Sequence, residues 1–78
     1  MYKVTFTPIA LSGYIKFQDD KKILPKINTL LKDIARNPKS GLGKPEKLKG
    51  NFNGYYSRRI DSKHRIIYRI KEDSCEVV

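Results

Sequence analysis

The first half of the chain carries one segment of alternating polarity and two segments of helical period. Tyr2, Val4 and Phe6 alternate with polar residues, which predicts a half-buried strand. Thr7 then supplies an N-cap hydroxyl and Pro8 fits the first position of a helix, so a helix should begin directly after the strand. The chain is therefore predicted to start with a strand that turns at once into a first helix.

The second helical segment is a longer amphipathic one. Its apolar positions recur at spacings of three, four and seven and predict a helix from about residue 21 to residue 36. These positions are Ile23, Ile27, Leu30, Leu31 and Ile34. Asp19-Asp20 is expected to cap it, Pro25 fits only in its first turn, and Asn37-Pro38 stops it. We interpret the apolar stripe as core rather than as a binding groove.

The second half of the chain predicts a loop and three or four strands. Residues 39–54 are rich in glycine and read as a long loop, with a short strand around residues 46–49. Strands are predicted at 55–60 and 64–70, with a last short one at 75–78. The order predicts an α+β fold in a single domain, residues 1–78: a small antiparallel sheet with two N-terminal helices packed on one face.

The register of the second hairpin decides where its charges lie. A three-residue connection, 61–63, would place Ile60 opposite His64 and Arg59 opposite Arg65. The predicted helix-side face then carries Tyr56, Arg58, Ile60, His64, Ile66, Tyr68 and Ile70. The predicted polar face carries Tyr55, Ser57, Arg59, Arg65, Ile67 and Arg69.

Two arginines opposite one another break a local rule, since like charges across a sheet repel. Such an exception is typical of a functional surface, and the alternative is an ordinary solvated face. Arg59 and Arg65 are therefore candidate site residues. A shift of one residue in the strand pairing would turn their side chains to the other face of the sheet. His64 is expected to be a hydrogen-bonded structural residue, and Tyr68 a core residue whose hydroxyl reaches a polar partner.

The composition favours an anionic partner. Seventeen Lys and Arg against eight Asp and Glu give a formal net charge of +9 in 78 residues. Nucleic acid, an anionic membrane and an acidic protein all fit this charge. A membrane is disfavoured because the amphipathic helix needs its apolar face for the core.

The remaining composition bounds cofactors and compartment. Cys75 is the only cysteine and His64 the only histidine, so neither an internal disulfide nor a zinc cluster is expected. No cofactor is expected, and a partner chain, including a second copy in a homodimer, is the expected source of extra stability. No stretch resembles a signal peptide or a membrane span, which predicts a cytoplasmic protein.

The residues permit metal-free cleavage of RNA. Glu46 lies among lysines, so it should stay ionised and could take a proton from a ribose 2′-hydroxyl. The guanidinium groups of Arg59 and Arg65 could steady the charge that forms on the phosphate. Candidate RNA-binding residues around them are Lys44, Lys47, Lys49, Tyr55 and Arg69. For Glu46 the alternative is a solvated salt-bridge partner.

Three segments in order resemble the YoeB (Txe) toxins of the RelE superfamily of toxin–antitoxin systems. They are Gly41 to Lys49, Ser57 to Ile60 and His64 to Tyr68, and the likeness extends back through residues 26–34. The resemblance implies a RelE-like fold and a ribosome-dependent endoribonuclease that cuts mRNA and inhibits translation. It also implies restraint by an acidic, YefM-like antitoxin. By position it assigns the base to Glu46 and the transition-state arginines to Arg59 and Arg65.

One departure from the family pattern leaves a second interpretation open. Members of the family usually end in a His-Tyr pair, with the histidine as the general acid, whereas this sequence stops at Val78 and has no second histidine. We therefore expect the family's C-terminal end to be missing. The alternative function is a catalytically silent form that binds its antitoxin and ribosomal RNA. A gyrase-poisoning role, as in some relatives of the superfamily, is less favoured because Glu46 is present.

Overall fold

The chain folds as a strand, two helices and four further strands. The computed structural model describes all 78 residues. The elements are β1 Lys3–Phe6, α1 Pro8–Lys16, α2 Ile23–Arg36, β2 Glu46–Lys47, β3 Tyr55–Arg59, β4 Arg65–Ile70 and β5 Ser74–Val77, with a short 3₁₀ turn at Gly50–Phe52 between β2 and β3. No helix is long and apolar enough to cross a membrane.

The five strands form one sheet in the order β1-β5-β4-β3-β2. The β2–β3, β3–β4 and β4–β5 pairs are antiparallel, as predicted. The β1–β5 pair is parallel, with Val4 opposite Cys75, so the sheet is mixed rather than wholly antiparallel. Parallel pairing needs a long connection, and the rest of the chain between β1 and β5 provides it. The predicted α+β class is confirmed with this one difference.

The helix boundaries follow the predicted caps. The hydroxyl of Thr7 accepts a hydrogen bond from the backbone N–H of Ala10 at 3.2 Å, and Pro8 is the first residue of α1. The carboxylate of Asp20 accepts from the backbone N–H groups of Lys22 and Ile23, at 2.9 Å each. These two bonds lower the pKa of Asp20. Each helix therefore begins beside a side chain that accepts a hydrogen bond from one free N–H group of its first turn.

The hydrophobic core lies between α2 and one face of the sheet. Seven buried apolar residues form it: Ile27, Leu30, Ile34, Ile66, Tyr68, Cys75 and Val77. The apolar stripe of α2 is thus core, as predicted. Helix α1 has no buried residue, and Ile9, Leu11 and Ile15 on it are exposed. Most of the helix-to-sheet packing therefore comes from α2.

The β3–β4 hairpin has the predicted register. Arg59 lies opposite Arg65, and the backbone N–H of Ile60 donates to the carbonyl of His64 at 2.9 Å. Ile66 and Tyr68 are buried on the helix side. The Tyr68 hydroxyl donates to the carbonyl of Pro38 at 2.6 Å, which confirms its predicted role.

His64 also has the structural environment that was expected. Its Nδ1 lies 3.0 Å from one carboxylate oxygen of Asp61, and its ring meets the ring of Phe17 edge-on. Backbone hydrogen bonds from Lys63 and His64, together with the imidazole, lower the pKa of Asp61. The only histidine is thus engaged in the turn between β3 and β4.

Candidate functional site

The face of the sheet away from the helices carries the candidate site, and we call it the polar face. Glu46 on β2 lies opposite Ser57 on β3, which lies opposite Ile67 on β4. The backbone N–H of Val78 donates to the carbonyl of Ile67 at 2.9 Å and extends this row to the last residue of the sequence. Glu46, Ser57 and Ile67 therefore share one side of the sheet, and alternation places Arg59 and Arg65 there too.

A carboxylate and a guanidinium meet on this face. Oε2 of Glu46 lies 3.8 Å from Nη1 of Arg65, and the same Nη1 donates to Oγ of Ser57 at 3.1 Å. Side-chain exposure is 64% for Glu46 and 43% for Arg65, so a ligand can reach both from solvent. We call Glu46, Ser57, Arg59 and Arg65 the Glu46–Arg65 cluster.

Arg59 is the second cation of the cluster. It lies directly opposite Arg65 in the β3–β4 pair and is exposed. No carboxylate of the chain forms an ion pair with Arg59, whereas Arg65 has one in Glu46. The cluster thus contains two guanidinium groups and one carboxylate, and the excess positive charge suits an anionic ligand.

The loop that leads to Glu46 is held by a buried arginine, Arg58. Its side chain is fully buried, and every part of the guanidinium has a partner. The accepting groups are the carboxylate of Asp33 and Tyr68 Oη at 2.5 and 3.0 Å, and the carbonyls of Asn37, Ser40 and Leu42 at 2.6, 3.0 and 3.2 Å. Arg58 therefore fastens the loop after α2 to β3, directly beside Ser57, the residue that lies opposite Glu46.

Two glycines let the loop approach this arginine closely. Gly43 has a φ of +77°, and a Cβ there would lie 2.8 Å from the carbonyl oxygen of Arg59. A Cβ at Gly41, whose φ is +128°, would overlap the Asp33 carboxylate. The Gly43 carbonyl in turn accepts from the backbone N–H of Arg59 at 2.7 Å. The Gly-x-Gly pattern before Glu46 is thus required by packing against Asp33 and β3.

Comparison with known proteins shows the family. The family model described as "YoeB-like toxin of bacterial type II toxin-antitoxin system" matches residues 6–78. The chain belongs to this toxin family. A Toxin YoeB of Synechocystis sp. is 52% identical over 71 residues, which are 90% of this chain and 83% of the relative.

Solved YoeB structures have the same fold as this YoeB-like toxin. A heterotetrameric YoeB–YefM toxin–antitoxin complex from Staphylococcus aureus matches with a TM-score of 0.89 and 48% identity. The match covers 100% of this chain and 92% of that one. A YoeB dimer from the same organism matches with a TM-score of 0.88 and 48% identity, covering 99% of this chain and 91% of that one.

The other candidate residues of this YoeB-like toxin are not all on one side. Tyr55 and Arg69 lie opposite one another on the polar face. Lys47 lies opposite Tyr56, which stacks on the buried Tyr68, so the register turns Lys47 to the helix side of the sheet. Lys44 and Lys49 flank β2 and are exposed. The structure thus groups five of the eight candidates on one face and separates Lys47 from them.

The sequence did not reveal the roles of Ser57 and Arg58. Ser57 was placed on the polar face, but its contact with Arg65 was not foreseen. Arg58 was placed on the apolar face without a partner. A buried arginine requires an acceptor, and Asp33 is the one carboxylate of α2, so a signal for this pair was present.

Proposed function

We propose that this toxin is a ribosome-dependent endoribonuclease that cuts mRNA and inhibits translation in the cytoplasm. The observation that carries the proposal is the contact of Glu46 with Arg65 on an exposed face that also bears Arg59. A single proton acceptor beside two permanent cations matches what RNA cleavage through the ribose 2′-hydroxyl requires.

Glu46 acts as the base in this proposal. It removes the proton of the 2′-hydroxyl, and the 2′-oxygen then attacks the adjacent phosphorus. The bond to the 5′-oxygen breaks, leaving a 2′,3′-cyclic phosphate, and the departing 5′-oxygen takes up a proton from water. Arg59 and Arg65 stabilise the extra negative charge on the phosphate during this step. Ser57 holds Arg65 in place through its hydroxyl.

RNA binding extends the proposal along the polar face. Tyr55 and Arg69 offer a ring and a cation beside the cluster, and Lys44 and Lys49 add charge near β2. Lys47 lies on the other side of the sheet, so its contribution is limited to the overall positive potential.

A second candidate function is supported by the position of the only histidine. His64 is hydrogen-bonded to Asp61 and packs on Phe17, away from the polar face. It therefore gives the Glu46–Arg65 cluster no imidazole that could act as general acid. In this alternative the chain binds an antitoxin and ribosomal RNA without cutting. Loss of a positioned general acid costs about 10²- to 10⁴-fold in rate.

The partners follow from the relatives and from charge. The Staphylococcus aureus relative is found in a complex with YefM and also as a dimer. We propose that an acidic antitoxin covers Arg59 and Arg65, and so neutralises the cations and blocks RNA at the same surface. We also propose that the free toxin forms a homodimer.

Glu46→Gln tests the catalytic proposal. On ribosomes programmed with a defined mRNA, primer extension should detect a loss of cleavage of about 10²-fold or more, because the base is removed. Co-sedimentation should detect nearly unchanged ribosome binding. The matched control is Glu72→Gln, since Glu72 is an exposed carboxylate with no ion pair in the turn between β4 and β5. Equal loss of cleavage and ribosome binding in Glu46→Gln would contradict the role of Glu46 as base.

A second experiment separates the enzyme from the silent binder. The 78-residue chain and a version extended to a His-Tyr ending are induced separately in cells, and mRNA cleavage is mapped. Val78 already pairs with Ile67, so added residues would continue β5 alongside β4. Cleavage and growth arrest by the 78-residue chain would exclude the silent function. Activity in the extended version only would support it for the shorter chain.

A further inference from the structure

Phe52 is an aromatic side chain left half exposed beside the candidate site. It ends the 3₁₀ turn Gly50–Phe52, and 52% of it is exposed. Its ring meets the ring of Tyr55 edge-on, with centroids 6.0 Å apart and planes at 85°. It does not belong to the hydrophobic core or to the residues packed against it. An aromatic ring in this position adds little to the core and has a free surface to offer.

The neighbouring ring, Tyr55, is fixed by a cation. The guanidinium carbon of Arg69 lies 5.7 Å from the centroid of the Tyr55 ring. Nη2 of Arg69 donates to Oε1 of Glu76 at 3.2 Å, which holds the guanidinium over the ring. Lys71 also lies 3.5 Å from the same carboxylate oxygen, so the positive charge here exceeds the negative. The three side chains Phe52, Tyr55 and Arg69 thus form one ordered, cationic aromatic patch.

The distance of this patch from the Glu46–Arg65 cluster is set by strand geometry. Tyr55 and Ser57 are two residues apart on β3 and point to the same face, so their rows are about 6.6 Å apart. That separation is comparable with the step between neighbouring nucleotides of an extended single strand. Arg65 pairs with Arg59, one row further from Tyr55, but its Nη1 reaches back to Oγ of Ser57 at 3.1 Å. A phosphate held by this guanidinium in the Ser57 row would therefore bring an adjoining base to the patch.

We propose that Phe52, Tyr55 and Arg69 form a stacking platform for an unpaired RNA base next to the phosphate that is cut. The inference rests on the proposed ribonuclease function and adds a base-binding subsite to it. A nucleobase fits because the patch offers exposed aromatic surface and a guanidinium together, while the cluster beside it takes the phosphate. Stacking on such rings tolerates every base, so the platform sets position and affinity rather than sequence.

Direct binding of RNA to toxin variants that cannot cut it tests the platform. All variants carry Glu46→Gln, and the probes are a labelled single-stranded RNA hexamer and a matched hexamer without bases. Phe52→Ala should weaken binding of the hexamer with bases about 5- to 150-fold and leave the abasic hexamer unaffected. Phe52→Trp should retain affinity, and Phe52→Leu should lose it because leucine has no π face. Ile15→Ala is the control, since Ile15 is 57% exposed on α1, on the helix side.

Salt dependence separates stacking from charge. Loss of the Phe52 ring should lower affinity at every salt concentration without changing the slope of log K against log salt, whereas Arg69→Gln should make the slope shallower. Equal weakening of both hexamers, full affinity in Phe52→Leu, or no measurable binding of the parent to the hexamer with bases would overturn the platform. So would a Phe52→Ala defect confined to an acidic antitoxin peptide.

These outcomes are separate from those of the catalytic test. The platform is judged by binding of RNA that cannot be cut, and the proposed function by cleavage on ribosomes. Normal base-dependent binding with no Glu46-dependent cleavage would remove the nuclease and keep the platform as an RNA-binding feature. Glu46-dependent cleavage with no effect of Phe52 on binding would remove the platform alone.

Discussion

The guanidinium of Arg58 and the carboxylate of Asp33 meet in the structure at 2.5 Å between Nη1 and Oδ2. Asp33 is on α2 and Arg58 is on β3, so this contact joins the second helix to the strand that lies between β2 and β4. The same carboxylate oxygen accepts from the backbone N–H of Leu42 at 2.9 Å. One ion pair therefore organises the loop that precedes Glu46.

Arg58→Met should destabilise the toxin strongly. The substitution keeps much of the side-chain volume but leaves the Asp33 carboxylate and the carbonyls of Asn37 and Ser40 without their donors. Removing one partner of a buried pair costs about 3–5 kcal/mol. In urea unfolding monitored by circular dichroism, the midpoint urea concentration should therefore be much lower than that of the parent protein.

Arg36→Met is the control for this prediction. Arg36 pairs with the same Asp33 at 3.7 Å, but its side chain is 74% exposed. The expected change in the free energy of unfolding is within about 0.5 kcal/mol. Similar destabilisation by the two substitutions would indicate that charge, rather than burial and hydrogen bonding, governs the site.

Acid should weaken the fold through Asp33. The Leu42 N–H first, and then Arg58, hold the pKa of Asp33 below its ordinary value of 3.8. A depressed folded pKa adds stability above the ordinary value, and this stability is lost as pH falls through the folded pKa. The free energy of unfolding should thus decrease as pH drops below 3.8. Urea midpoints at neutral pH and in steps below pH 4 would measure it.

Asp33→Asn should make the loss of stability below pH 3.8 less steep, because one of the carboxyl groups with a lowered pKa is gone. Part of the slope should persist, since hydrogen bonds also lower the pKa of Asp20 and of Asp61. Glu72→Gln should follow the parent curve. If the urea midpoint of Asp33→Asn fell with pH as steeply as that of the parent, the assignment of this stability to Asp33 would be contradicted.

Two glycine-to-alanine substitutions should change stability in opposite directions. Gly43→Ala puts a Cβ against the Arg59 carbonyl and the Leu30 side chain at a φ of +77°, and the left-handed conformation alone costs about 1–2 kcal/mol. Gly13→Ala adds a Cβ within α1 with no neighbouring atom within 4 Å, and should stabilise by about 0.5–1 kcal/mol. Thermal and urea unfolding would measure both. A stabilised Gly43→Ala would show that the loop packs differently.

Binding to the acidic antitoxin should weaken as salt rises. The proposed contact neutralises Arg59 and Arg65, and screening reduces such attraction. Calorimetric titrations at increasing salt concentration should give a steadily larger Kd. Arg59→Gln combined with Arg65→Gln should flatten the dependence, while Lys21→Gln, next to α2, should not. Affinity independent of salt would instead point to apolar contacts.

The parts of the fold that depend on neighbouring residues could be predicted well. Thr7 and Asp20 cap the two helices as expected, because a cap depends on residues two or three positions away. The three-residue connection after Ile60 set the register that places Arg59 opposite Arg65. The resemblance of the three motifs to the YoeB toxins is confirmed by the family comparisons. The catalytic roles of Glu46, Arg59 and Arg65 stay predictions.

The features that depend on contacts between distant parts of the chain were harder to predict from the sequence. The pairing of β1 beside β5 joins the two ends of the sequence, and nothing local indicates its parallel direction. The side on which Lys47 lies depended on the exact pairing of the two-residue strand β2 with β3. A strand so short has almost no alternating pattern of its own, so only its hydrogen-bonded neighbour decides which side chains face the site.

The sequence by itself determined the helices, the hairpin register, the basic surface and the toxin family, since these follow from periodicity, caps, turn length and motif spacing. Only the tertiary structure decided that Arg58 joins Asp33 and the loop before Glu46, and that Glu46 meets Arg65 across Ser57. Such contacts bring together atoms from separate segments. Their geometry exists only once the core between α2 and the sheet has formed.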